Sequence, residues 1–193
     1  MNLARNLKVA ALMTIVTTVL LGVIYPLAIT GIAQAIFPDK ANGQLIERGG
    51  QVIGSRLVGQ GFSSPGYFHS RPSAAGMGYD AANSAGSNLG PTNKKFLDAV
   101  TANVEAARKE NPNAPVPIDL VTTSASGVDP HITPAAADFQ VPRIALERGT
   151  SEADMRRLVA ANTAGRQLGF FGEPRVNVLE LNLALDSQYP MKK

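Results

Sequence analysis

Apolar positions are unevenly distributed along this chain. Residues 9–37, "VAALMTIVTTVLLGVIYPLAITGIAQAIF", contain no charged side chain. About 20 apolar residues cross the hydrocarbon core of a bilayer, so this run predicts a membrane helix with its core at about 9–32. A cleaved signal peptide is the rival reading, and "AQA" at 33–35 resembles a cleavage site. A signal h-region is only about 7–15 residues long, so length favours an uncleaved anchor. Thr14, Thr18 and Gly22 recur every four residues along the run, followed by Pro26 and Thr30. Small residues at that spacing let helices approach closely in lipid, which makes the first three a candidate packing stripe. Pro26 predicts a kink or an end to the regular helix.

Beyond the run the pattern changes to that of a folded domain. Residues 44–60 predict two short strands around a Gly49-Gly50 turn. Residues 61–93 are rich in Gly, Ser and Pro, which points to a long loop. That loop also carries Phe62, Tyr67, Phe68 and Tyr79, which disordered segments tend to lack, so it reads as ordered. Asn93 opens a helix in which Phe96, Val100 and Val104 share a face, and "NPNAPVP" ends it. "IDLVTT" alternates like a strand. Thr133-Pro134 starts a short helix toward Val141, Pro142 opens a second that stops at Gly149, and Ser151 caps a third that stops near Gly165. "VNVLELNLAL" fits strand or helix; Asn177 as a cap favours helix. The fold class is therefore α/β: one N-terminal transmembrane helix, then one mixed α/β extracytoplasmic domain.

Charge sets the expected topology. Arg5 and Lys8 precede the span, so the positive-inside rule places residues 1–8 in the cytoplasm and residues 38–193 outside, in the periplasm. Lys40 and Arg48 on the far side weaken that bias. Residues 38–193 carry a net charge of only +1, which is no footprint for nucleic acid. The absence of cysteine excludes disulfides and thiolate chemistry. No ionisable residue interrupts the span, which argues against this chain forming an ion path alone.

The stretch "TTSASGVDPHIT" at 122–133 gathers Ser124, Ser126, Asp129 and His131. A membrane-anchored extracytoplasmic serine hydrolase is one reading of it. No G-x-S-x-G elbow is present, and Asp-Pro with small residues is ordinary turn chemistry. A strand-to-helix connection is the simpler reading. His69 and His131 form no H-x-x-x-H pair, so no zinc site is expected. "GQGFSSPG" lacks the phosphate-loop spacing. Arg71 is the best single anion binder, with a structural ion pair as its plainer use.

Five blocks in order carry a resemblance: "GSRLVGQGF", "YFHSRPSA", "SAGSNLGPTN", "TTSASGVDPHITPAAA" and "VNVLELNLALD". With the single N-terminal span, the chain resembles the C subunit of the Kdp potassium-transporting ATPase. Ala85 departs from the glycine expected there, which matters only if that position needs a positive φ. The resemblance implies an accessory, non-catalytic subunit in the bacterial inner membrane, associated with assembly and stability of an ATP-driven potassium uptake complex. Its implied partners are a channel-like potassium-translocating subunit, a P-type ATPase subunit and membrane lipid. It implies no cofactor of the chain's own; ATP belongs to the complex, and the family has been proposed to raise ATP affinity as a catalytic chaperone. Candidate partner contacts are Tyr67, Phe68, Arg71, Ser87, Asn88, Asp129 and His131.

Overall fold

The computed structural model describes residues 2–191; residues 1, 192 and 193 of the expected segments lie outside them. The chain divides into two compact units, with the boundary between Leu45 and Ile46.

The first unit is built on one apolar helix, Leu3–Ile36, of 34 residues and with none of its most apolar stretch buried. It runs as α1 (Leu3–Thr17), a widened segment (Thr18–Ile24) and α2 (Tyr25–Ile36). The widening has a local cause. Pro26 has no N–H to donate, and its ring crowds the carbonyl four residues back, at Gly22. In the widened segment the Tyr25 N–H donates instead to the Leu20 carbonyl, five residues back. Pro26 then sits in the first turn of α2, where a missing N–H costs little. The helix therefore continues through the proline rather than ending there. A four-residue α3 (Pro38–Ala41) follows.

The second unit mixes helices with two small sheets. The expected hairpin is β1 (Leu45–Arg48) and β2 (Gln51–Ser55), turning at residues 49–50. The long helix is α4 (Lys94–Glu110), with the Asn93 side chain accepting from the Lys95 N–H at 2.9 Å. "IDLVTT" is not a strand. Residues 118–120 form a tight helical turn, in which Ile118 is exposed and Asp119 is buried. The Asp119 carboxylate accepts the Thr133 N–H at 2.7 Å, and that bond reverses the inside-outside pattern read from hydropathy.

The two short helices expected after Thr133 are one, α5 (Pro134–Arg148), with Pro142 inside it. An interior proline costs about 3 kcal/mol. Here that cost is offset by burial, because Phe139, Val141, Ile144 and Ala145 lie in the core around it. α5 packs chiefly on α6 (Glu152–Ala161), which ends at Asn162, short of the expected Gly165. The second sheet is antiparallel, in the order β3 (His131–Ile132), β5 (Arg175–Asn177), β4 (Thr163–Ala164). Its register pairs Ile132 and Thr163 with Val176. Asn177 ends β5 and caps α7 (Val178–Gln188), accepting from the Glu180 N–H at 3.1 Å. The ambiguous "VNVLELNLAL" is thus a strand end that turns directly into a helix.

The core holds one unusual element, segment 65–69, which starts in a turn closed by the Tyr67 N–H on the Ser64 carbonyl at 3.1 Å. Sheet pairing satisfies none of its carbonyls; side chains of α5 and α7 do. Arg143 donates to the carbonyls of Pro65 and Tyr67, the latter at 3.0 Å. Arg148 Nε donates to Gly66 at 2.8 Å. Asn182 accepts the Phe68 N–H at 2.9 Å and donates to its carbonyl at 3.0 Å. Gln140 does the same for His69, at 2.7 and 3.1 Å. Both amides are almost fully buried, and Phe68 itself is 0% exposed.

Asn182→Ala would leave the Phe68 N–H and carbonyl buried without partners. Each such group costs about 1–3 kcal/mol, so a loss of about 2–4 kcal/mol is expected. Urea denaturation of the full chain measures it. A shift no larger than that of an exposed substitution such as Lys109→Ala would refute the account.

Candidate functional site

The stretch 122–133 is the part of the domain to which the long loop is fastened. Ser73 is the hub. Its hydroxyl donates to the Gly127 carbonyl at 2.5 Å and accepts the N–H groups of Tyr79 and Ala75 at 2.8 and 3.2 Å. Tyr79 donates through its hydroxyl to the Arg71 carbonyl. Ser84 donates to the Ser126 carbonyl at 2.9 Å, and the Gly59 N–H to the Val128 carbonyl at 2.7 Å. Backbones come too close here for side chains. A Cβ at Gly127 would lie 2.5 Å from the Ala85 carbonyl oxygen, and one at Gly59 2.5 Å from that of Asp129. Gly127 also holds φ at 68°, so both conformation and space require glycine. Ala85 has no positive φ, so alanine fits where glycine was expected.

The hydroxyls that suggested a hydrolase are committed to turns. Ser124 Oγ accepts the Gly127 N–H at 2.9 Å, and Ser126 Oγ the Val128 N–H at 3.2 Å. Among the described residues no hydrogen bond joins either serine to His131, so the nucleophile–base contact of a hydrolase is not formed.

Arg71, Asp129 and His131 do come together. Asp129 accepts the His131 N–H at 3.0 Å; His131 Nδ1 lies 3.6 Å from the same oxygen, and Arg71 lies 3.7 Å from the other. Burial alone would raise the Asp129 carboxyl. The His131 ring and N–H, with the Arg71 charge, outweigh it and hold the group below its ordinary 3.8. Arg71 also donates to Thr122 Oγ1 and the Thr123 carbonyl at 3.3 and 3.4 Å. It sits between two open clefts. One, of about 470 Å³, is lined by Ser124, Ser126 and Asp129; the other, of about 290 Å³, by Asp119, His131 and Arg175. His131 lies in β3.

The remaining expected contacts are scattered. Phe68 is core, clasped by Asn182, and its side chain is not open to a partner. Tyr67 is half-buried. Its hydroxyl donates to Asp186 at 2.9 Å, and Arg148 lies 4.8 Å above its ring. Ser87 is half-buried and Asn88 exposed, just beyond the 84–86 segment that crosses residues 125–127. Thr14, Thr18 and Gly22 lie in the apolar helix, the last two in its widened segment. A wider turn holds more than four residues, so the stripe drifts differently there than on a uniform α-helix. Sequence reading passed over the hairpin between β4 and β5. "GRQLGFFGEP" presents Leu168, Phe170 and Phe171 to solvent; glycines flanking an apolar pair were its only signal.

Comparison with known proteins now bears on this arrangement. The family model for KdpC, the c chain of the K+-transporting ATPase, matches residues 7–187. The chain belongs to this family. The match includes the apolar helix, the clasped loop and α7 up to its last residue but one. The potassium-transporting ATPase KdpC subunit of Koribacter versatilis is 63% identical over 187 residues, 97% of each chain. Those of Acidobacterium capsulatum and Rhodospirillum rubrum are 57% and 54% identical, over 96% and 97% of this chain and 100% and 98% of theirs.

Asp129 supplies a pH-dependent test. A carboxyl depressed in the folded state stabilises above its unfolded pKa, and that contribution is lost as pH falls through the folded value. Asp129→Asn should therefore lower the urea midpoint at neutral pH. The gap from wild type should close as pH drops below the ordinary 3.8. A gap that persists undiminished at low pH would contradict the assignment.

Proposed function

We propose that the chain is a non-catalytic accessory subunit of a potassium-transporting ATPase complex, anchored in the bacterial inner membrane by its N-terminal helix. The observation that carries this reading is the family match, which runs from residue 7 to 187 through both units. In this reading a P-type ATPase subunit and a channel-like potassium-translocating subunit do the chemistry and the transport, and this chain stabilises their assembly. The geometry is in keeping with a docking role. The serines of 122–133 are used as turn acceptors, and the loop fastened to that stretch through Ser73 and Ser84 offers an ordered surface. Tyr67, Arg71, Ser87, Asn88, Asp129 and His131 are its candidate contacts, with Arg71 set between two clefts.

The orientation follows the positive-inside rule, with Arg5 and Lys8 in the cytoplasm and the α/β domain in the periplasm. ATP is absent there, so any effect of this chain on ATP affinity is indirect. It requires only that the complex have two states that this chain contacts differently. Proteolysis of oriented vesicles checks the orientation; digestion of the domain from the cytoplasmic face alone would reverse it.

Within the membrane, Thr14, Thr18 and Gly22 face a partner helix. A Cβ at Gly22 would come only within 3.9 Å of Thr18 Cγ2, so a larger side chain is tolerated by the helix itself. Gly22→Leu should leave the domain's unfolding unchanged yet reduce recovery of the chain with the other subunits. Co-purification in mild detergent is the deciding experiment for the function as a whole. A clean monomer under those conditions would overturn the subunit reading.

A further inference from the structure

The hairpin joining β4 and β5 exposes more contiguous apolar surface than any ordinary loop tip requires. Leu168, Phe170 and Phe171 are 82%, 63% and 56% exposed, and the two rings lie tilted at 40° to each other with centroids 4.1 Å apart. The tip is not slack. Gln167 and Phe171 exchange two backbone hydrogen bonds, both at 2.9 Å, and the Phe170 N–H closes the turn on the Gln167 carbonyl at 3.2 Å. Leu168 holds φ at 53°, a region a bulky residue rarely adopts. Arg166 and Glu173 brace the base at 2.6 Å. The aromatic residues are thus held outward by a fixed turn, and the electrostatics at its base are self-neutralised.

Three occupants could cover such a tip. A bilayer surface recruits Trp and Tyr anchors and clusters of Lys and Arg. This chain has no Trp, the tip has no Tyr, and Arg166 is already paired. The tip alone supplies far less than the roughly 1,200–2,000 Å² of a standard interface, so it can only be part of a larger one, and on the subunit reading the larger interfaces are with other chains and not with a second copy. A few rigid aromatic anchors inside a larger heteromeric interface are the arrangement that such a tip does suit.

We propose that Leu168, Phe170 and Phe171 form an apolar peg that seats in an apolar pocket on another chain of the potassium-transporting ATPase complex. This rests on the subunit reading above and adds the site and chemistry of one contact. Preformed geometry lets the peg bind without ordering a loop first, which spares the complex that entropy.

The test uses the full chain co-expressed with the other subunits. A photoreactive phenylalanine analogue at position 170 should give an adduct with another chain of the complex. The variant carrying L168S, F170S and F171S should unfold at the wild-type urea midpoint and be retained at least about tenfold more weakly, as loss of a hot-spot cluster implies. Adducts confined to lipid or to a second copy, or undiminished retention of the triple variant, would overturn the peg while leaving the subunit reading intact. A wild-type chain that does not co-purify would sink both.

Discussion

The domain depends on how segment 65–69 is held. A buried backbone segment outside the helices normally satisfies its polar groups by pairing with a strand. Here Gln140, Arg143 and Arg148 of α5 and Asn182 of α7 take that part. The arrangement couples three elements, and the Arg148–Asp186 ion pair at 2.9 Å ties α5 to α7 directly beside it. α5 and α7 cannot shift against each other without breaking hydrogen bonds to one backbone. The same bonds anchor the start of the long loop, so its Gly- and Ser-rich remainder begins from a fixed point. The second fixed region is Ser73 on Gly127, where two backbones meet at a distance only glycine allows.

Much of this fold was legible because it is written in caps. Asn93, Thr133, Ser151 and Asn177 each accept from a backbone N–H in the first turn of the helix they precede. Those are local interactions, and sequence neighbours suffice to read them. What failed was non-local. "IDLVTT" alternates, yet Asp119 turns inward because a backbone N–H fourteen residues on needs its carboxylate. Pro142 reads as a break, yet core burial on α5 outweighs it. Pro26 in the apolar helix is a local case by contrast, absorbed by a change of hydrogen-bond register just upstream of it.

The candidate site divides in the same way. Arg71, Asp129 and His131 were singled out by residue type, and the fold does assemble them, across a gap of 58 positions between Arg71 and Asp129. Phe68 was singled out as an aromatic in a polar loop, and that cue misled, since its ring completes the core. Tyr67, its neighbour, faces Arg148 and Asp186 and is only half-buried. Tyr67 sits in a turn closed by its N–H on the Ser64 carbonyl at 3.1 Å, so its ring packs at the edge of the core that Phe68 fills. The hydroxyl-rich stretch looked catalytic because the residues that make turns are also the residues that make triads. Only the acceptor geometry of Ser124 and Ser126 separates the two uses.

On the proposed reading, the chain meets its complex through small contacts in two units, and their linkage matters more than the strength of either. A stripe of small residues in lipid gains little, because polar contacts between membrane helices contribute only about 1–2 kcal/mol at best. A three-residue peg is likewise a fraction of a standard interface. Once one contact has formed, however, the other forms within the same assembly at a high effective concentration, and avidity rises without any new contact. The rigid devices of the domain then acquire a common purpose. Leu168 in a left-handed conformation costs about 1–2 kcal/mol, which the backbone hydrogen bonds closing the turn between Gln167 and Phe171 help to offset, while its side chain stays 82% exposed. The same turn holds Leu168 beside Phe170 and Phe171 in solvent, so on this reading a partner that covers all three recovers apolar burial that the domain itself does not supply.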